Sequence, residues 1–211
     1  MNFSKTVAQN LLQINAIQLR PQNPFTWASG WKSPIYCDNR TILSYPEVRN
    51  LVVDAFIAKS ELFQPFDMVA GVATAGIPHG VLLADRLQLP FIYVRDKAKA
   101  HGRQNLIEGR VNGHERVLVI EDLISTGGSS LKAVEAVREA GCEVVGILSI
   151  FTYQFDHATE AFNKAGCITD SLTDYTTLVQ EAIATGYVKN DDLELLSAWR
   201  AAPENWMHQQ S

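Results

Sequence analysis

Apolar positions along this chain recur with two different periods, and their alternation predicts most of its elements. Within residues 6–17, Val7, Leu11, Leu12 and Ile14 fall at helical spacing, which predicts an amphipathic opening helix. Residues 17–40 lose that period and contain Pro21, Pro24, Gly30 and Pro34, so their short apolar runs predict small strands joined by turns. Ser44 followed by Glu47 has the form of a capping box, ahead of a stripe made by Val48, Leu51, Val52, Ala55 and Phe56. Continuous apolar runs then occupy residues 68–72, 91–94, 117–120 and 144–151. Such runs are expected of strands buried on both faces of a parallel sheet.

Helical stripes separate these runs. One carries Val81, Leu82, Leu83 and Leu87; another carries Leu131, Val134 and Val137 and is stopped by Gly141. From residue 156 onward helical spacing dominates, interrupted by a short apolar turn at Cys167 and Ile168. Asp174 is placed to cap a helix bearing Leu178 and Ile183, Asp191 with Glu194 predicts the start of another, and Trp199 and Trp206 read as packing anchors. Strands alternating with helices in this way predict an α/β fold with a mostly parallel sheet covered on both faces.

Composition narrows the function classes. A chain of 211 residues is long enough for one domain with a sizeable core. Its net charge of -5 provides no basic surplus to attract nucleic acid or an anionic membrane, so neither is expected as a partner. Cys37, Cys142 and Cys167 are odd in number and widely spaced, which argues against a disulfide framework or a structural zinc site and for a reducing compartment. Without a signal-peptide pattern or a membrane-spanning apolar run, a cytoplasmic location is expected, and the glycosylation patterns at Asn2 and Asn39 are chance matches.

The chemistry concentrates in residues 117–130, V-L-V-I-E-D-L-I-S-T-G-G-S-S. Glu121 and Asp122 are expected to end the strand. Ser125, Thr126, Gly127 and Gly128 then fit a tight loop with inward backbone N–H groups, and Ser129 and Ser130 offer an N-cap to the next helix. The N–H groups and helix dipole suit a phosphate, and the two carboxylates suit a sugar diol. An ordinary βα turn has much the same composition; the acid pair sets this one apart, because open parallel sheets bind ligands at the carboxyl ends of their strands. Neither G-x-x-x-x-G-K-[ST] nor G-x-G-x-x-G occurs in the chain.

Two further segments carry weaker signals. A-T-A-G-I-P-H-G, residues 73–80, reads as a plain βα loop or as one whose Gly76 and Gly80 admit a ligand close to the backbone; His79 reads as a helix-start residue. Residues 95–110 gather Arg95, Lys97, Lys99, His101 and Arg103 in an otherwise acidic chain. They read either as a solvated basic loop or as a lid that closes over an anionic leaving group and excludes water. The aromatics of residues 25–40 read equally as a local mini-core or as a ligand hood.

On these residues the 117–130 stretch resembles the phosphoribosyl pyrophosphate signature of the type I phosphoribosyltransferases, and the rest of the chain is similar to the orotate-using members of that family. The resemblance implies a type I phosphoribosyltransferase-like α/β domain over residues 1–211, its mostly parallel sheet flanked by helices. Residues 1–40 would contribute a small N-terminal hood and residues 155–211 a helical C-terminal extension. It implies the substrates phosphoribosyl pyrophosphate and orotate, the products orotidine 5′-monophosphate and pyrophosphate, a place in pyrimidine biosynthesis, and a Mg2+ cofactor held chiefly by substrate oxygens and water, with no direct protein ligand assigned.

The resemblance also implies residue roles. Glu121 and Asp122 would face the ribose hydroxyls, Ser125, Thr126, Gly127, Gly128 and Ser129 would hold the 5′-phosphate, and Leu123 and Ile124 between them would complete the phosphoribosyl pyrophosphate site. Ser125 would also touch orotate, with the 32–36 segment from Lys32 to Tyr36 covering the base. Residues 73–80 would bind pyrophosphate through their backbone. Arg95, Lys99, His101 and Gly102 would contact pyrophosphate across a homodimer that shares its 95–110 loops, with Lys99, His101 and Asp122 as the catalytic set. Departures from the family pattern fall at Ala28, Thr74, Ala75, Asp96, Thr152 and Tyr153, where members commonly carry lysine, tyrosine, lysine, lysine, aspartate and arginine. Lys32 and Lys97 are neighbouring lysines that could stand in. The alternatives are a phosphoribosyltransferase for another nucleobase, which Ala28 and Tyr153 favour, and a non-catalytic phosphoribosyl-binding regulator, which the leaving-group cations Lys99 and His101 disfavour.

Overall fold

A computed structural model describes residues 3–27, 30, 32–97 and 106–206. In chain order its elements are α1 (Phe3–Gln13), β1 (Ile17–Leu19), β2 (Phe25–Thr26), β3 (Lys32–Ser33), β4 (Ile35–Cys37), α2 (Pro46–Ser60), β5 (Met68–Val72), α3 (Gly76–Leu87), β6 (Phe91–Val94), β7 (Ile107–Glu108), β8 (Arg116–Ile124), α4 (Gly128–Glu139), β9 (Glu143–Thr152), α5 (Asp156–Lys164), β10 (Thr169–Asp174), α6 (Tyr175–Ala184) and α7 (Leu193–Ala201). A six-stranded sheet runs in the order β10-β9-β8-β5-β6-β7, parallel except for β7.

The apolar runs form the middle of this sheet. All of β5 is buried, and Val117, Leu118, Val119 and Ile120 of β8 are wholly inaccessible. From β5 the chain crosses to β6 in one direction, and from β8 it crosses to β9 and β10 in the other. Right-handed crossovers in opposite directions put their helices on opposite faces, α3 on one and α4 and α5 on the other. The adjacent pair β5 and β8 is thus the point where the strand order reverses, and their carboxyl ends open a crevice.

Residues 17–37 form two short antiparallel pairs, β1 with β4 and β2 with β3, instead of joining the main sheet. The opening helix is shorter than its apolar spacing suggests. Asn15 adopts a left-handed φ of 55°, which ends α1 and turns the chain into β1, so Ile17 belongs to a strand. The capping box at Ser44 and Glu47 does not form. Pro46 takes the first helical position of α2 and Tyr45 becomes its extended N-cap, because a residue before proline is driven out of the helical region. Ser44 instead ends a short 3-10 helix, Asn39–Ser44.

The C-terminal part, too, differs from a purely helical extension: Thr169–Asp174 adds β10 as the sheet's edge strand, in parallel register with β9. Asp174 caps α6 as its position suggested, its carboxylate accepting from the Thr177 N–H at 2.8 Å. Trp199 and Trp206 are both buried. The three cysteines are free thiols.

Candidate active site

The crevice at the reversal of strand order holds a cleft of about 370 Å³. One wall is Ala73, Thr74 and Ala75 after β5; the other is the end of β8 and the loop into α4, from Glu121 to Ser129; Cys37, Asp38 and Arg40 close it from the side of the small antiparallel pairs. The 125–129 loop, Glu121, Asp122 and Leu123 all line this one cleft, so most residues singled out in the 117–130 stretch converge there. Ile124 is an exception: it is buried and belongs to the lining of a different cleft, described below.

The local geometry of that stretch differs from expectation in two respects. The acids do not end the strand. Glu121 pairs in register with Ser149, Leu123 with Phe151 and Ile124 with Thr152, so pairing with β9 carries β8 past them. Ser129 and Ser130 do not cap α4 either, because the helix begins at Gly128 with Gly127 as its N-cap at a left-handed φ of 81°. Their hydroxyls turn back to Glu121: Ser130 Oγ donates to Oε2 at 3.1 Å and Ser129 Oγ at 3.4 Å. Glu121 is only 4% exposed. Burial, followed by the neighbouring Asp122 charge, pushes its carboxyl well above the ordinary glutamate range. Asp122 is raised as well, by burial, although the nearby Arg40 charge counteracts this.

Glu121 is therefore pinned at the base of the α4 loop, whereas Asp122, partly accessible, is the acid better placed to meet a ligand. Asn39 holds the strand from the other side. Its side chain is fully buried and Nδ2 donates to the Asp122 carbonyl at 2.7 Å. That burial also rules out glycosylation at Asn39. Asp38, Asn39 and Arg40 were not singled out individually, although they close the 25–40 segment that was read as a possible hood over the ligand.

The glycines after β5 serve packing. A Cβ at Gly76 would lie 2.5 Å from the Ile120 carbonyl oxygen, and one at Gly80 would lie 2.7 Å from the Phe91 ring, so both admit a neighbouring element of the fold, not a ligand. His79 is within α3 and inaccessible, and burial lowers its pKa to about 4, partly offset by the Asn39 main chain.

Among the residues expected to cover a base, Lys32 is exposed with Nζ donating to Thr26 Oγ1 at 2.7 Å, and Tyr36 is 40% exposed with its ring 5.5 Å from that of Phe25. Ser33 and Ile35 are buried. Tyr153 is core: it is 3% exposed and packs against Trp27, Phe151, Phe155 and Trp199 at centroid distances of 5.4–5.7 Å. Arg95 lies at the end of β6, its Nη1 3.3 Å from Glu108 Oε1, and with Asp96 lines a hollow that shares Ala73 and Ser129 with the cleft. Lys99, His101, Gly102, Arg103 and Ala28 lie outside the described residues.

A second cleft, of about 380 Å³, is lined from the end of β9, from α5 and from β10, and there Lys59 and Asp170 pair with each other at 2.7 Å. It takes nothing from β5 or the α4 loop and carries no comparable convergence of loops.

The left-handed backbone and close packing of Gly127 make a direct test of the loop. A Cβ there would stand 2.7 Å from the Phe162 ring in a conformation costing an L-residue about 1–2 kcal/mol. Gly127→Ala is expected to displace the loop and raise the KM of a phosphorylated substrate about tenfold, measured by steady-state kinetics beside the unaltered protein. An unchanged KM would show that the loop is not a phosphate grip.

Comparison with known proteins places this geometry. Residues 42–184 match the phosphoribosyl transferase domain. Over 207 residues the chain is 53% identical to the orotate phosphoribosyltransferase of Cytophaga hutchinsonii, covering 98% of this chain and 99% of that one. Its fold superposes on the orotate phosphoribosyltransferase of Aeropyrum pernix with a TM-score of 0.75 at 28% identity, over 87% of this chain and 99% of the other. The UMP synthase of Leishmania donovani gives 0.78 at 30% identity over 93% of this chain, which spans 42% of that longer protein.

Proposed function

Since the chain belongs to the orotate phosphoribosyltransferases of the phosphoribosyl transferase family, we propose that its cleft divides the family reaction among the residues described above. That reaction moves ribose 5-phosphate from phosphoribosyl pyrophosphate to N1 of orotate and releases pyrophosphate, a step of pyrimidine biosynthesis. The observation that carries the assignment of roles is the convergence of the acid pair, the hydroxyl-glycine loop and the α4 N-terminus on one cleft at the strand-order reversal.

The 5′-phosphate is held by the 125–129 loop, where backbone N–H groups and the α4 dipole supply positive potential without a charged side chain. Asp122 accepts from the ribose hydroxyls, while Glu121, held by Ser129 and Ser130, fixes the loop and strand to one another. Bond breaking at the ribose anomeric carbon builds positive charge on the sugar and negative charge on the departing pyrophosphate. Arg95, Lys99 and His101 stabilise the latter. Orotate is already anionic, so no strong base is required.

The cleft's hard oxygen donors, Asp122 above all, fit a magnesium ion carried mainly by the substrate, the usual way this ion is bound beside phosphates. When bound, magnesium neutralises charge on the pyrophosphate oxygens. Asp122 would approach it directly or through water. Sharing of the 95–110 loops between two copies, and a cytoplasmic location, complete the reading; the absence of a basic surplus agrees with small-molecule substrates. Among the described residues no helix is long and apolar enough to cross a membrane.

The direct experiment follows orotate absorbance after mixing protein, phosphoribosyl pyrophosphate, orotate and magnesium, with uracil, xanthine and hypoxanthine in parallel. Consumption of orotate alone, abolished by a chelator and restored by magnesium, is the expected result. Turnover of another base in place of orotate would keep the phosphosugar roles and overturn the base assignment.

A further inference from the structure

The base subsite raises a problem of charge. Orotate brings a carboxylate, yet the arginine that family members often place after the equivalent of β9 is replaced by Tyr153, which is sealed among aromatic rings. Among the described residues, the ionisable ones lining the cleft are Cys37, Asp38, Arg40, Glu121 and Asp122. Among these Arg40 is the one that carries positive charge.

Three observations aim Arg40 at a ligand. Asp38 grips one edge of the guanidinium, accepting from Nε at 2.6 Å and from Nη2 at 2.9 Å. This fixes the plane and leaves the Nη1 side of the fork for a second acceptor. The side chain remains 65% accessible despite those two hydrogen bonds, so the group is held and still open. Between the two, Asn39 is buried and bonded to the Asp122 carbonyl, which ties this short run to the strand carrying the ribose acid. Arg40 is close enough to Asp122 to favour its ionised form. The run also directly follows β4, whose Tyr36 belongs to the segment expected over the base.

We propose that Arg40 is the specificity-determining residue for orotate in this chain: the free edge of its guanidinium binds the orotate carboxylate, and Asp38 is the positioning residue that presents it. The phosphosugar has other donors, the α4 N-terminus for the 5′-phosphate and the 95–110 cations for pyrophosphate, whereas the orotate carboxylate has no other cationic partner among the described residues lining the cleft, and a guanidinium fork can hold it with two hydrogen bonds. The inference rests on orotate being the base, as set out above.

Separate KM values for orotate and phosphoribosyl pyrophosphate in Arg40→Gln, Arg40→Lys and Asp38→Asn test it, together with inhibition by uracil, which has the ring but no carboxylate. Arg40→Gln should raise the orotate KM at least tenfold, leave the phosphoribosyl pyrophosphate KM within about twofold, and leave the uracil inhibition constant unchanged, consistent with loss of a charge-assisted pair. Arg40→Lys should recover part of the loss and Asp38→Asn should show a smaller rise of the same kind. A rise confined to phosphoribosyl pyrophosphate, a parallel rise for orotate and uracil, or no change would each overturn the proposal. Absence of orotate turnover by the unaltered protein would instead strike the functional reading beneath it, so the two failures are distinct.

Discussion

Gly76→Ala is expected to lower the thermal unfolding midpoint by about 6–12 °C, which corresponds to a loss of about 3 kcal/mol in a protein of this size. The added methyl would lie 2.5 Å from the Ile120 carbonyl oxygen and 3.3 Å from the Glu121 Cα. Both are main-chain atoms of the central strand β8, so neither can rotate aside as a side chain would. Alanine is the better helix former by roughly 1 kcal/mol in a helix interior, but Gly76 stands at the first residue of α3, where that gain is smaller. The steric cost therefore prevails. The same displacement would move the Ala73–Ala75 wall away from Asp122, so activity should fall together with stability. A midpoint within about 1 °C of the unaltered protein would show that α3 and β8 can separate without cost, contrary to overpacking of a tight interface.

Lys99→Ala is expected to reduce kcat about 100-fold or more while changing the KM for phosphoribosyl pyrophosphate only a few-fold. The reasoning is that a cation meeting charge that develops only as pyrophosphate departs contributes to the transition state far more than to the bound substrate. Lys99 itself is outside the described residues, but both ends of its segment are anchored beside the cleft. The Arg95 N–H donates to the Leu106 carbonyl at 2.8 Å, and β7 pairs with β6 in antiparallel register. Steady-state kinetics decides the matter: unchanged turnover in the variant would remove the leaving-group role from Lys99.

The two predictions rest on different kinds of information. Lys99 was legible as a charge in a polar, non-periodic connection. The role of Gly76 was not: its loop read either as a plain βα turn or as room for a ligand, and the structure fills the space at Gly76 with the backbone of β8. Arg40 was likewise unmarked in the sequence, because an arginine after a short strand is usually only a solvated surface group. Its meaning comes from Asp38 on one side and the buried Asn39 anchor on the other. Tyr153 shows the converse. It stood out as a departure at the base site, yet its ring completes an aromatic cluster with Trp27 and Trp199, residues remote from it in sequence.

Local sequence carried the fold class, the buried strands at the centre of the sheet, the tight hydroxyl-glycine loop of residues 125–129 and the positive segment after β6. Each of these depends on composition or spacing within a few residues: apolar runs for buried strands, hydroxyl and glycine residues for a tight loop, clustered cations for an anionic ligand. The tertiary structure alone decided where β8 ends, which hydroxyls serve Glu121 instead of capping α4, which glycines face other elements, and which arginine stands in the cleft. Those outcomes depend on strand pairing and on contacts between segments far apart in the chain, where a neighbouring backbone or carboxylate offers more than the local preference that competes with it.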